Sequence, residues 1–163
     1  MKFFDDIEIG EVTELGSHTF CAEAIKRFAK AYDSQPFHLD EKAAVAGLFG
    51  ALTASGWHTT AVMMKLIAAA GATDGANCAR LGPSPGFDDL GWLKPVFAGD
   101  TLTYRATVVS KNESRSQPGW GVVSSRFEAH NTAGELVLKL TGHDLVERRT
   151  GDQAGTHSAG LCT

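Results

Sequence analysis

An acid and an imidazole lie five residues apart in segment 33–40, which reads Asp-Ser-Gln-Pro-Phe-His-Leu-Asp. Pro36 disfavours helical geometry at Gln35, so a helix that ends near Asp33 would be followed by a fixed turn. Such a turn can bring Asp33 and His38 to face one cavity. A carboxylate and a histidine placed in this way suit general acid–base chemistry. The alternative is a solvated turn in which Asp33 bonds backbone amides, and the residue pattern leaves both interpretations open.

The expected position of Asp33 bears on its proton affinity. At the C-terminal end of a helix the macrodipole disfavours a carboxylate, so we expect a raised pKa for Asp33. A general acid or base gains from such a shift. His38 and Asp40 also resemble half of a metal site, but Asp40 is explained as the cap of a following helix. Because no third ligand lies at helical spacing, we expect no metal.

A second group of candidates opens an apolar run, with the sequence Ala-Ser-Gly-Trp-His at residues 54–58. The first N–H groups of a helix are unpaired and bind anions or developing oxyanions. Gly56 would let a ligand approach that backbone closely. The alternative is an ordinary serine cap at Ser55, and His58 is interpreted as an interior histidine. The sequence contains no nucleotide-binding glycine motif and no nucleophile elbow.

The elements that would position these residues are helices first and strands later. Apolar residues at helical spacing predict an amphipathic helix over Ala22, Ile25, Phe28, Ala29 and Tyr32. A short helix is predicted after Asp40. A third helix from Ser55 or Gly56 is apolar on all sides and is expected to be buried all round. Strand-like runs are predicted at residues 14–21, 87–97, 101–110, 121–130 and 135–146.

Helices grouped early and strands grouped late, without βαβ alternation, predict an α+β fold with an antiparallel sheet. A helix that must be buried on all sides suggests that the sheet wraps around it. Segment 148–163 is rich in Gly, Ser and Thr and has almost no apolar residues, so it predicts a disordered tail. Residues 1–147 would then form a single domain.

Composition limits the class of protein. A chain of 163 residues with 43% apolar residues fits one domain with a core. The net charge of −4 argues against a nucleic-acid partner. Three widely spaced cysteines and an acidic start without a signal peptide indicate a cytoplasmic protein. The apolar stretch 53–70 carries several polar side chains in its first half, so it predicts a buried helix and no membrane span.

These motifs resemble those of a known family. Segment 33–40 is similar to the D-x-N-P-x-H-x-D signature of the MaoC-like dehydratases and (R)-specific enoyl-CoA hydratases, in the hotdog superfamily. Ser55 and Gly56 stand where that family has His-Gly at the start of its central helix. Segment 92–102, WLKPVFAGDTL, matches the family pattern F-x-x-P-V-x-x-G-D-x-L. The resemblance spans roughly residues 3–147, with the motifs in the family's order.

The resemblance implies a hotdog fold, in which an antiparallel sheet wraps a long central helix, in a homodimer or a higher homo-oligomer. It implies that Asp33 and His38 activate a water, which adds to the β-carbon of a trans-2-enoyl thioester while a proton reaches the α-carbon. The Gly56 N–H would meet the thioester oxygen. The carrier would be coenzyme A or an acyl carrier protein, in fatty acid metabolism, and no cofactor is expected.

Departures from the family pattern concern the substrate. Gln35 replaces the usual Asn, Ser55 replaces the His before Gly56, and Met64 stands where short-chain enzymes can carry a small polar residue. These side chains, together with Trp57, are candidates for binding the substrate. For Met64 and Trp57 the alternative is a place in the core.

The hotdog fold hosts several activities, so two other functions stay open. A thioesterase would direct water at the thioester carbonyl, and its central helix usually carries an acid. Residues 54–70 contain no Asp or Glu, which favours the hydratase. A catalytically silent subunit that binds acyl thioesters is the third possibility, and the presence of both Asp33 and His38 argues against it.

Overall fold

The computed structural model describes residues 2–73 and 81–149 of the chain. Within them the helices are α1 (Ala22–Tyr32), α2 (Pro36–Leu39), α3 (Glu41–Val45) and α4 (Gly56–Thr73). The strands are β1 (Val12–Thr19), β2 (Gly86–Trp92), β3 (Thr101–Glu113), β4 (Trp120–His130) and β5 (Leu136–Glu147). The predicted helix and strand regions are confirmed with shifted ends. The structure adds α2, which is only one turn long.

The described strands form one antiparallel sheet in the order β1-β3-β4-β5-β2. The consecutive strands β3, β4 and β5 lie side by side, and β1 and β2 form the two edges. Asn131 shapes the turn between β4 and β5, because its side-chain oxygen accepts the N–H groups of Ala133 and Glu135 at 3.1 and 2.9 Å. The predicted α+β hotdog fold is therefore confirmed, with α4 packed against the sheet.

The main core lies between α4 and one face of the sheet. Val62 and Met63 of α4 are buried in a cluster with Leu102, Tyr104 and Leu138. The phenol of Tyr104 donates a hydrogen bond to the carbonyl of Thr59 at 3.2 Å, so its buried polar end is satisfied. Burying each large side chain contributes about 1.5–3 kcal/mol. The packing of Val62 and Met63 against the sheet therefore stabilises the position of α4.

The expectation that α4 is buried all round is wrong for the single chain. Trp57 and Met64 are 51% and 58% exposed, and Ala61 and Lys65 lie on the same side of the helix. The reason is geometric, because the sheet covers one side of α4 and leaves this stripe open. We call these four residues the open face of α4.

The start of the predicted tail contacts the domain. The Arg148 N–H donates to the carbonyl of Gly119 at 2.8 Å, and the Arg149 guanidinium lies 2.6 Å from an Asp6 carboxylate oxygen. Residues 150–163, the rest of the predicted tail, lie outside the described residues. In the described ranges, none of the helices combines the length and the apolar character that a membrane crossing requires.

Candidate active site

The end of α1 places Asp33. The Asp33 N–H donates to the Ala29 carbonyl at 2.9 Å, and the Ser34 hydroxyl donates to the same carbonyl at 3.2 Å, so the helix is closed at this point. Pro36 then occupies the first turn of α2, where its missing N–H is not needed. His38 is the third residue of α2. The turn that Pro36 was expected to fix is confirmed, and it brings the two side chains together.

Asp33 and His38 face each other across a short gap. Asp33 Oδ2 lies 3.5 Å from His38 Nε2, and His38 is buried. On its other side, His38 Nδ1 lies 2.7 Å from the Thr53 carbonyl oxygen. A carbonyl only accepts hydrogen bonds, so Nδ1 carries a proton, and when the ring is neutral Nε2 directs a lone pair toward Asp33. Two acceptors at this distance can share one water that donates a hydrogen bond to each.

The Thr53 carbonyl is held in place by backbone pairing. The Ala54 N–H donates to the Val96 carbonyl at 2.8 Å, and the Ala98 N–H donates to the Leu52 carbonyl at 3.2 Å. Residues 52–54 therefore pair with residues 96–98, inside the segment 92–102 that resembles the family pattern. This pairing explains why a segment distant in sequence contributes to the position of His38.

The pKa of Asp33 is lowered, so the expectation of a raised pKa is wrong. A hydrogen bond with the Ser55 side chain lowers the pKa most, and the Gln35 amide and the nearby His38 lower it further against the opposing effect of burial. Gln35 Nε2 donates to Asp33 Oδ1 at 3.0 Å. These partners stabilise the carboxylate more than burial disfavours it. Asp33 is therefore held as an ionised carboxylate.

Ser55 connects Asp33 to the start of α4. It is buried, and its hydroxyl oxygen accepts the Trp57 N–H at 3.2 Å, as an N-cap does. This contact leaves the one hydroxyl proton unused, and the Ser55 side chain has the largest effect in lowering the pKa of Asp33. Gln35 and Ser55 were candidates for substrate binding, and the structure places both against the Asp33 carboxylate.

Gly56 is the first residue of α4, and its N–H meets no acceptor among the described residues. A Cβ at this position would lie 2.3 Å from Cδ2 of the Trp92 ring. A side chain at position 56 is therefore excluded by Trp92. The sequence interpretation assigned no role to Trp92, although it occupies the Phe position of the family pattern.

A cavity of about 280 Å³ lies beside these residues, and we call it the site cavity. Its walls include His38, Thr53, Gly56, Trp92, Lys94 and Val96. Of the predicted catalytic residues, His38 and Gly56 therefore line the site cavity. Asp33 is not among the lining residues, but its carboxylate contacts His38, which is. Trp57 is half exposed and packs edge-on against Trp92, with ring centroids 5.0 Å apart. Met64 lies away from the site cavity and lines a separate one.

His58 is an interior residue, as expected. Its ring stacks on Phe28 of α1 with centroids 4.7 Å apart and meets Phe20 edge-on at 5.1 Å. Its Nδ1 is buried without a partner among the described residues. Burial lowers the pKa of His58 to about 4, with further contributions from His18 and Arg27. His58 is therefore held neutral between α1 and α4.

Another polar cluster lies across β4, β5 and β2. Ser124 Oγ is 2.9 Å from His143 Nδ1, and His143 Nε2 is 3.0 Å from Asp88 Oδ2. These residue types match a nucleophilic triad, but Ser124 is buried and the Asp88 side chain is 76% exposed. We assign it no catalysis, because a substrate cannot reach the hydroxyl. Among the described residues, no three His, Cys, Asp or Glu side chains are grouped as a metal site.

Comparisons with known proteins point to one family. A family model described as MaoC like domain matches residues 6–128. The crystal structure of a MaoC-like dehydratase from Rhodospirillum rubrum is 36% identical, with a TM-score of 0.79, over 92% of this chain and 99% of that one. The uncharacterized protein YdeM of Bacillus subtilis is 30% identical over 115 residues, which are 71% of this chain and 79% of YdeM. Mesaconyl-CoA hydratase of Cereibacter sphaeroides is 41% identical over 64 residues, which are 39% of this chain but only 18% of that protein.

Proposed function

The chain belongs to the MaoC-like domain family, and on this basis we propose that it hydrates a trans-2-enoyl thioester and catalyses the reverse dehydration. Asp33 and His38 are the proposed acid–base pair. The observation that carries the proposal is the 3.5 Å approach of Asp33 Oδ2 to His38 Nε2 beside the site cavity. The similarity to a dehydratase and to part of a CoA-ester hydratase supports it.

In the proposed reaction, one water donates hydrogen bonds to the Asp33 carboxylate and to His38 Nε2. Its oxygen forms a bond to the β-carbon as one O–H bond breaks and the C=C π bond opens. The proton that leaves the water passes to the pair, and one proton is delivered to the α-carbon. Atoms and charges then balance, and the pair ends unchanged. General acid–base catalysis of this kind typically contributes about 10²–10⁴ in rate.

The thioester oxygen gains negative charge while the α-carbon awaits its proton. We propose that the Gly56 N–H stabilises this charge. The group has no acceptor among the described residues, opens an 18-residue helix and lines the site cavity. A donor aimed at a developing oxyanion is worth about 10²–10³ in rate.

The carrier in the proposal is coenzyme A or an acyl carrier protein, in cytoplasmic fatty acid metabolism. A thioesterase is disfavoured because the first turn of α4 carries no acid that could direct water at the thioester carbonyl. The Asp33–His38 geometry argues against a silent binding subunit.

One experiment separates these functions. The purified protein is offered trans-2-enoyl-CoA and saturated acyl-CoA substrates. Loss of the conjugated-enoyl absorbance and release of free thiol are followed in parallel. Loss of absorbance without thiol release supports the hydratase. Thiol release from saturated substrates would identify a thioesterase, and binding without either signal would identify a silent subunit.

We propose that the protein is a homodimer formed by pairing of sheet edges. The edge strands β1 and β2 leave backbone groups unpaired, and proteins normally cover such edges. The open face of α4 adds apolar surface that a second subunit would cover.

A further inference from the structure

A second cavity of about 130 Å³ lies along α4, and we call it the distal cavity. Thr60, Met63, Met64 and Ile67 form its helical wall, and Phe127 is among the sheet residues opposite. Most of its lining is therefore apolar and fits an aliphatic chain. Asp144 is a polar exception, and burial raises the pKa of its carboxyl.

A hydrogen bond joins a residue that lines the site cavity to a residue that lines the distal cavity. Trp92 lines the site cavity, Thr60 lines the distal cavity, and Trp92 Nε1 donates to Thr60 Oγ1 at 3.1 Å. The Thr60 hydroxyl donates in turn to the Gly56 carbonyl at 2.9 Å. Both hydrogen-bonding roles of this hydroxyl are satisfied, so Thr60 is fixed as the acceptor for the indole.

Trp92 is 44% exposed, and its ring is held on the sides that the protein covers. It lies against the bare backbone of Gly56, where no side chain would fit. The Trp57 ring meets it edge-on at 5.0 Å, and the backbone of Trp92 is paired with Leu138 in the sheet. An aromatic ring packed and hydrogen-bonded in this way does not swing aside without breaking several contacts.

We propose that Trp92 determines acyl-chain length by closing the site cavity toward the distal cavity, so that the protein prefers short acyl groups. The inference rests on the proposed hydratase function and names its substrate class. The site cavity of about 280 Å³ lies just below the range for ligand pockets, about 300–1,000 Å³. Removing the ring would join it to the distal cavity and make room for a longer chain.

The test compares trans-2-enoyl-CoA substrates of four to ten carbons in wild type, Trp92→Ala and Trp92→Phe. We expect kcat/KM of the wild type to fall at least tenfold from the shortest to the longest substrate. Trp92→Ala should reduce this difference at least tenfold, and Trp92→Phe should reduce it less. Thr60→Val, which removes the acceptor but keeps the shape, should act in the same direction. Trp120→Phe is the matched control, since Trp120 lines neither cavity, and should keep the wild-type preference.

Equal use of all chain lengths by the wild type would overturn the inference, as would equal losses for all lengths in folded Trp92→Ala and Trp92→Phe. Calorimetric binding of saturated acyl-CoA thioesters of the same lengths gives a readout that needs no turnover. If the wild type hydrates none of the enoyl substrates, the proposed function fails. The role of Trp92 in chain-length preference is then tested by the binding measurements alone. Trp92 variants that keep the wild-type preference overturn the inference, and variants that gain affinity for long chains support it.

Discussion

The Ser55 side chain, which opens α4, has the largest effect in lowering the pKa of Asp33, which ends α1. The two residues are 22 positions apart in sequence. The same hydroxyl oxygen accepts the Trp57 N–H. One buried side chain thus caps the helix start that carries the Gly56 N–H and also sets the proton affinity of the base.

Ser55→Ala should move the acid limb of the pH–rate profile to higher pH. Ser55 is the largest cause of the lowered pKa of Asp33, so its loss raises that pKa. Since the reaction needs ionised Asp33, activity is lost as pH falls through that pKa, and the variant loses it earlier. The measurement is kcat/KM from pH 3 to 8, because the ordinary pKa of 3.8 is lowered in the wild type. Ser55→Thr keeps the hydroxyl and should restore the wild-type limb, whereas a lower Tm with an unmoved limb would indicate a cap alone.

Asp33→Asn and His38→Ala should each lower kcat by about 10²–10⁴, because each removes one partner of the proton-transfer pair. The double variant should fall little below the worse single variant, as expected for residues that act on one water. Tm and binding of a product thioester should stay near wild type. More than a tenth of wild-type hydration in Asp33→Asn would contradict its role as base. Unfolding of that variant would show that Asp33 is instead a turn anchor.

Because His58 is held neutral in the folded protein, the free energy of unfolding should decrease as the pH is lowered. Its pKa is about 4 in the folded protein against an ordinary 6.5, because burial disfavours the charged ring. The unfolded chain therefore binds a proton first, and the stabilisation is complete above about pH 6.5 and lost progressively toward pH 4. His58 contributes at most about 1.4 kcal/mol per pH unit to the slope of the free energy of unfolding against pH.

The measurement is the free energy of unfolding at several pH values between 4 and 8. The change His58→Phe keeps an aromatic ring between Phe20 and Phe28 but cannot take up a proton. It should flatten the curve while leaving hydration activity in place. The half-buried ring of His18, whose pKa is also lowered, and the cations Arg27 and Lys65 face this cluster and contribute less. An unchanged slope in the variant would assign the acid sensitivity to other groups.

Light scattering at micromolar concentration should give about twice the chain mass of 17.3 kDa. The physical reason is the unpaired edges of β1 and β2. A mass near that of one chain would refute the homodimer.

Deletion of residues 150–163 should leave activity and Tm unchanged. Ordering a residue costs about 1–2 kcal/mol, and this composition offers little apolar burial to offset it. Deletion from Arg148 onward is the informative comparison, because it also removes the ion pair between Arg149 and Asp6. A large loss of Tm in the shorter deletion would show that the segment docks on the domain.

The sequence predicted helix starts, helix ends and caps, because these depend on residues that are close together in the chain. Pro36 predicted the end of α1, and Asp40 predicted a cap, which the structure confirms through a 2.8 Å hydrogen bond from the Ala43 N–H to its carboxylate. The start of α4 at Gly56 was predicted in the same way. Each of these signals acts over a few residues, so no tertiary information was needed.

The features that the sequence did not predict depend on distant contacts. The lowered pKa of Asp33 comes first from Ser55, whereas the local helix end argued for a raised pKa. The approach of Trp92 to Gly56 joins β2 to α4, and the open face of α4 depends on how far the sheet extends around it. None of these follows from spacing along the chain.

The absence of room for a Cβ between Gly56 and Trp92 ties the two positions together over evolutionary time. A lineage that acquires any larger residue at position 56 must first, or at once, shrink the ring at position 92. Conversely, a lineage that has lost the ring is released from the requirement for glycine. Relatives of this protein should therefore show covariation between positions 56 and 92. The order in which the two positions changed records whether the cavity was opened before or after the helix start was altered.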